Sequence, residues 1–237
     1  MSGFWLITNV FLDVFPWIFL LYMPFKGRLR FSVITTGVLN YIALTIYLLI
    51  FKKITTAEFY NLDVMFSYRV VQIFVVLTLV IFLVDDYIEK SLFVYGLLLP
   101  ISVVILVWAS HINNYITIRQ SATYLDTAVL RIIISVVCFP FMYILWKKYI
   151  VPVVKTDNRR QWRQAWIIPI IFSIVSLAYC ENDFEITYMH FHQVLARFTL
   201  SIGVVIVSVM QFSNMNTEEK FVRAEEKAKR SKMLIDM

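Results

Sequence analysis

Charge is scarce in this sequence. Only 16% of its 237 residues are Asp, Glu, Lys or Arg, against 60% hydrophobic. A soluble domain carries about a quarter charged residues and a little under half apolar ones. So much apolar side chain excludes a disordered chain, and it exceeds what one soluble core encloses. Five glycines leave little material for glycine-rich nucleotide loops. The two cysteines, Cys138 and Cys180, are too few for a disulfide framework. The first apolar run lacks a basic leading segment and a small-residue cleavage site, so it reads as a membrane span and not as a cleavable signal peptide.

What the chain has instead is long apolar runs. A helix crossing the hydrocarbon core needs roughly 20 apolar residues. Seven runs approach or reach that length: 3–25, 31–51, 66–84, 91–110, 128–150, 164–180 and 194–213. Pro16, Pro100, Pro140 and Pro169 fall inside them and predict kinks, because neighbouring helices can satisfy the freed carbonyls. The expected fold class is all-α. Residues 1–213 would form a polytopic bundle of seven transmembrane helices, and 214–237 a cytoplasmic helical stalk.

The net charge of +6 is placed as membrane topology requires. Lys26, Arg28 and Arg30 give 25–31 a charge of +3. Lys147, Lys148, Lys155, Arg159, Arg160 and Arg163 outweigh Asp157, leaving 147–164 at +5. On the opposite side, 52–69 carries +1, 111–127 zero and 181–193 −3. The positive-inside rule therefore predicts an outer N-terminus and a cytoplasmic C-terminus. One connector departs from the pattern. Residues 85–90, with Asp85, Asp86, Glu89 and Lys90, belong to the cytoplasmic side yet sum to −2. Acidic residues weigh little in this rule.

Beyond Asn214 the composition changes to strong helix formers without Gly or Pro. Glu219–Arg223 and Glu225–Lys229 are i,i+4 pairs in the favourable order. Val207, Met210, Asn214, Thr217, Phe221, Ala224, Ala228, Ser231 and Ile235 follow an alternating 3 and 4 spacing, the seam of a parallel helix pair. The stretch Arg230-Ser-Lys-Met-Leu-Ile-Asp-Met237, preceded by Arg223-Ala-Glu-Glu-Lys-Ala-Lys229, resembles the residues just before the phosphoaccepting histidine of bacterial two-component sensor histidine kinases. That family writes a basic residue, Ser, a charged residue, two apolar residues, a small residue, Asn or Asp, and Met or Val, then Ser-His-Glu/Asp. About 15 residues carry the likeness. It implies that the chain is the membrane sensor region of such a kinase, truncated just before the phosphoacceptor. The complete parent would be a protein-histidine kinase, with a response regulator as partner through the missing half. A homodimer through the C-terminal helix is also implied. The alternative class is a membrane transporter or channel subunit, which would favour paired broken helices and internal symmetry.

Several side chains are candidates for the input site. Asp13 lies near the middle of the first run, where an ionisable group is costly and is paired or functional by default. Arg69, Arg131 and Arg197 lie within the first turn or so of the third, fifth and seventh runs, near the outer surface, and together would make a cationic mouth for an anionic ligand or lipid headgroup. Arginines there also simply snorkel. His190 and His192, beside Glu181, Asp183 and Glu185, are candidates for a divalent metal or for pH sensing, without Cys-x-x-Cys or His-Glu-x-x-His spacing to support a metal. Cys138 and Cys180 are poorly placed for a thiol protease. No cofactor is implied, and the basic segment KTDNRRQWRQ reads as a topology determinant and not as a nucleic-acid site.

Overall fold

A computed structural model describes residues 12, 15–50, 62–116, 124–157, 159–181, 192, 195–196, 198–207, 210, 213–214, 217 and 224. Among them the architecture is all-helical, and the only extended pairing is an isolated antiparallel bridge between Leu29 and Val84. The longer helices fall on the apolar runs. They are α1 (Phe15–Phe25, ending in a 3-10 turn), α2 (Val33–Ile50), α3 (Leu62–Leu83), α4 (Ile88–Ile116) and α5 (Tyr124–Leu145). Shorter pieces follow: α6 (Val151–Val154), α7 (Arg159–Ala165), α8 (Ile167–Glu181) and α9 (Phe198–Val207).

The basic stretch expected to be a connector is itself largely helical. After Leu145 the chain continues through a π-helical turn, Trp146–Ile150, into α6. Pro152 sits in the first turn of α6, where its missing N–H costs nothing. Pro169 likewise occupies the first turn of α8, so it starts a helix where a kink was expected. Pro100 and Pro140 do lie inside α4 and α5.

Helix α4 is the centre of the bundle and packs on α3, α5, α7 and α8. Proline explains one of these contacts. Pro100 has no N–H to give the Gly96 carbonyl one turn back. Ser173 of α8 supplies a donor, its single Oγ–H shared between the Gly96 oxygen at 2.8 Å and the Pro169 oxygen of its own helix at 2.9 Å. The approach is close enough to require glycine. A Cβ at Gly96 would stand 2.9 Å from Pro169 Cβ and 3.0 Å from its carbonyl carbon. The Ser201 hydroxyl of α9 donates to the Pro100 carbonyl at 3.1 Å. The Tyr95 hydroxyl donates to the Ile73 carbonyl of α3 at 3.2 Å. Helix α1 joins α2 through a Tyr22 to Asn40 hydrogen bond, and it packs Phe19 against Phe139 of α5 with ring centres 5.7 Å apart. Ser32 caps α2, its Oγ accepting from the Thr35 N–H.

Among the described residues, two helical stretches are long and apolar enough to cross a membrane, Ile88–Ile105 and Ile132–Val154. They differ in their surroundings. The first is 67% buried, as befits the central helix, and the second only 11%. Ile133, Val136, Val137, Phe141 and Ile144 of α5 all point outward, as do Ile34, Ile46 and Ile50 of α2 and Ile171 and Ile174 of α8. Soluble monomers rarely expose contiguous apolar patches of this extent, and such a surface suits lipid. The other apolar stretches, Phe15–Phe25, Val33–Tyr47, Val70–Leu83 and Phe198–Val207, are shorter among the described residues.

Candidate functional site

The connectors after α1, after α3 and after α6 converge at one end of the bundle. Gly27 makes the first turn possible with φ at +89°, a conformation that costs a side chain dearly. Beyond it the chain pairs briefly with the connector after α3. The Arg30 N–H donates to the Leu83 carbonyl at 3.0 Å, and the Asp85 N–H donates to the Arg28 carbonyl at 2.8 Å. This pairing brings Arg28 to Asp86, at the threshold of α4.

Asp86 Oδ2 accepts from Arg28 Nη1 at 2.7 Å and from Lys90 Nζ at 3.1 Å. Asp157, arriving from the connector after α6, accepts from the same two cations. Its Oδ1 lies 2.8 Å from Arg28 Nη1 and 3.0 Å from Lys90 Nζ, and its Oδ2 lies 3.1 Å from Arg28 Nη2. The lysine is fully enclosed, and the Asp86 side chain is only 5% exposed. Aromatic faces complete the enclosure. Lys90 Nζ sits 5.3 Å from the Tyr87 ring centre and 5.6 Å from that of Trp162. The Arg159 guanidinium covers Tyr87 at 5.5 Å. Trp162 packs edge-on against Phe93 of α4, and its Nε1–H holds the Thr156 carbonyl at 2.9 Å. The turn bearing Asp157 is thereby anchored.

Two cations and two carboxylates make a neutral set, the condition under which a buried ammonium is tolerable. Asp86 also lies at the N-terminus of α4, where the helix dipole favours an anion. Hydrogen bonds from Arg28 and then Lys90 hold the Asp157 carboxyl below the ordinary aspartate range, against a small opposing effect of burial. The same contacts, to Asp157 and then Asp86, push the Arg28 guanidinium further above its usual value. Chemically the cluster is a latch. It joins three connectors and gives both Arg28 and Lys90 contacts to both carboxylates.

A second feature lies between α4, α5 and α9. An apolar cleft of about 700 Å³ is walled by Ile105 and Trp108 of α4, Cys138 and Met142 of α5, and Ile202 and Ile206 of α9. Trp146, in the π turn, also lines it.

No family model, curated protein or solved structure matches the chain.

The residues expected to form an outer mouth are not brought together by any described contact. Arg69 lies in the first half of α3 and Arg131 in the first half of α5. Their side chains lie outside the described residues, as do Asp13, Arg197 and His190 altogether. His192 is helical and exposed. Among the described residues, no group of three or more His, Cys, Asp or Glu is placed to hold a metal. In the sequence, the members of the latch were read only as loop charges counted for topology. Two signals marked them: the acidic 85–90 connector amid basic ones, and Asp157 alone among six bases. Along the tail, Met210, Asn214, Thr217 and Ala224 are helical and exposed. The Thr217 hydroxyl donates to the Ser213 carbonyl at 2.9 Å, a contact of adjacent helical turns.

Proposed function

We propose that this chain is the membrane-embedded input module of a two-component sensor histidine kinase. In this reading seven helices span the bacterial plasma membrane, with the latch on the cytoplasmic side. Asp85 and Asp86 are then acidic on a basic face because they pair with Arg30, Arg28 and Lys90. A stimulus in the outer half or in the bilayer shifts α9 against α4 and α5. The tail relays that shift as a small rotation or slide to a kinase half that pairs two such stalks. Conformational coupling of two sites requires two arrangements that each side biases.

The observation that carries the reading is the tail. The residues resembling a phosphoacceptor helix follow a segment whose described members beyond α9 are helical. Five described seam positions, Val207, Met210, Asn214, Thr217 and Ala224, are exposed and available to a second stalk. A transporter or channel for a polar solute would line its path with polar groups, and the cleft between α4, α5 and α9 is not such a path.

The test is a fusion. Residues 1–237 joined in helical phase to the catalytic half of a histidine kinase are expected to restore autophosphorylation. That activity is expected to oscillate with a helical period as one to seven residues are inserted at the junction. An active fusion indifferent to phase refutes a helical relay. Inactivity in every phase, with the fusion inserted and folded, refutes the kinase-sensor assignment.

A further inference from the structure

The two anions of the latch differ in standing. Asp86 is nearly enclosed at the threshold of α4 and bonds both cations. Asp157 bonds the same two cations from the outside. Its side chain is 65% exposed, yet it reaches an ammonium that solvent does not touch. Its two oxygens take the Arg28 fork side by side, at 2.8 and 3.1 Å, and one of them also takes Lys90 Nζ at 3.0 Å. This position is an anion site built on a buried lysine and an arginine fork, and a carboxylate of the chain itself fills it. Such a fork fits carboxylates and phosphates alike.

The occupant can leave without unfolding its turn. The Thr156 N–H and hydroxyl both donate to the Val153 carbonyl, at 3.1 and 2.8 Å, and Trp162 Nε1 donates to the Thr156 carbonyl. Only the Asp157 side chain has to turn away. Water screens contacts to so exposed a carboxylate, and exposed ion pairs hold by a factor of about five or less. Once Asp157 turns out, Arg28 and Lys90 face one carboxylate between them. Two further bases stand close by. Lys155 presents its carbonyl 3.5 Å from Arg28 Nη2, and the Arg159 guanidinium lies 5.5 Å from the Tyr87 ring centre, on the residue whose ring also faces Lys90. Both are exposed, and neither joins an ion pair among the described residues. A phosphate dianion offsets this cationic excess better than a singly charged carboxylate does.

We propose that Arg28 and Lys90 form a phosphate-binding site that Asp157 occupies in cis. A phosphate oxyanion, free or on a lipid headgroup, displaces the Asp157 carboxylate and unties the α6–α7 turn from the ends of α1 and α4. Asp86 stays in place, so the enclosed lysine keeps a charged partner throughout. Chloride is a poor substitute, because one spherical ion cannot take the two parallel N–H bonds of the fork. The inference goes beyond the functional reading above and rests on the latch alone, so an inactive kinase fusion leaves it standing.

The test titrates full-length protein in phosphatidylcholine nanodiscs with inorganic phosphate, by calorimetry at neutral pH with ionic strength held constant by chloride. Expected is one saturable site per chain. Asp157→Asn keeps the shape and removes the competing charge. It is expected to bind phosphate about fivefold more tightly, the factor that the internal carboxylate no longer claims. Added to it, Arg28→Lys keeps a charge but not the fork and is expected to weaken binding about fivefold. Lys148→Gln, at an exposed base outside the latch, is expected to leave the affinity unchanged. Replacing part of the phosphatidylcholine by phosphatidic acid separates the two sources. Competition with added phosphate assigns the site to a headgroup, and unchanged affinity assigns it to the free ion. The absence of a saturable site in folded Asp157→Asn overturns the proposal. So does equal affinity of Asp157→Asn and the unaltered protein, a comparison that leaves the buried members intact and holds even where the arginine variant fails to fold. A loss from Lys148→Gln as large as that from Arg28→Lys also overturns it, since binding would then belong to the basic surface at large.

Discussion

Replacing Asp86 by Ala tests how the latch supports the bundle. The change removes the acceptor of two charge-assisted hydrogen bonds, at 2.7 Å from Arg28 and 3.1 Å from Lys90. Lys90 stays fully enclosed, with Asp157 as its remaining ionic partner, and that partner's side chain is 65% exposed. Breaking a buried pair by deleting one member costs about 3–5 kcal/mol. The surviving contact to Asp157 lowers the expectation to about 2–4 kcal/mol, because part of the buried charge stays compensated. In a chain of this length each kcal/mol moves the unfolding midpoint by about 2–4 °C. Thermal unfolding in detergent, followed by circular dichroism, should therefore show Asp86→Ala falling by roughly 4–16 °C. Asp157→Ala loses a contact that water already screens and should cost clearly less. Adding Lys90→Met to Asp86→Ala removes the stranded ammonium and should recover part of the loss. The reasoning is refuted if Asp86→Ala is as mild as Asp157→Ala, or if the double variant is no more stable than the single one.

Other outcomes follow from the same geometry. Gly96→Ala forces a Cβ to within 2.9 Å of Pro169 Cβ and should cost about 1–3 kcal/mol as overpacking, while Gly37→Ala and Gly203→Ala, which lie inside helices and meet nothing within 4 Å, should stabilise by up to about 1 kcal/mol in the same melt. The Asp157 carboxyl is held below its ordinary range, so its contribution is complete above the unfolded value of about 3.9 and is lost as pH falls through the lower folded value. The stability gap between the protein and Asp157→Asn should accordingly be constant near neutrality and close in acid. In intact cells, a cysteine at Asn182 should react with an impermeant maleimide, and one at Asn158 only after permeabilisation; the reverse pattern would invert the orientation.

The positions of the long helices were legible because an apolar run of about 20 residues is a local signal. Their ends were less so. Trp146–Val154 continues the helical path although it carries two lysines and a proline, since the lysines face outward and Pro152 opens a new first turn. The latch was visible only in fragments. Asp86 and Lys90 form an i,i+4 pair that any reading can find. Their partner Arg28 stands 58 positions before Asp86, and Asp157 stands 67 beyond Lys90. Nothing periodic links such residues, because the backbone bridge between Leu29 and Val84 is what brings them into register. Likewise the pairing of Ser173 with the carbonyl freed by Pro100 depends on which helices become neighbours, and hydropathy does not encode that.

The latch divides the bundle into parts of unequal stiffness. It ties the ends of α1, α3, α4, α6 and α7 into one stator around the enclosed Lys90 and the nearly enclosed Asp86, with the more exposed Asp157 as its loosest member. Helix α9 supplies none of those four residues. Among the described residues, it meets the rest of the bundle through the Ser201 bond to the Pro100 carbonyl and through Val204 and Val205, which pack in the apolar core. Under the proposed relay, α9 is the part that moves against this stator, and the Ser201 bond to the Pro100 carbonyl is the contact its movement would have to break.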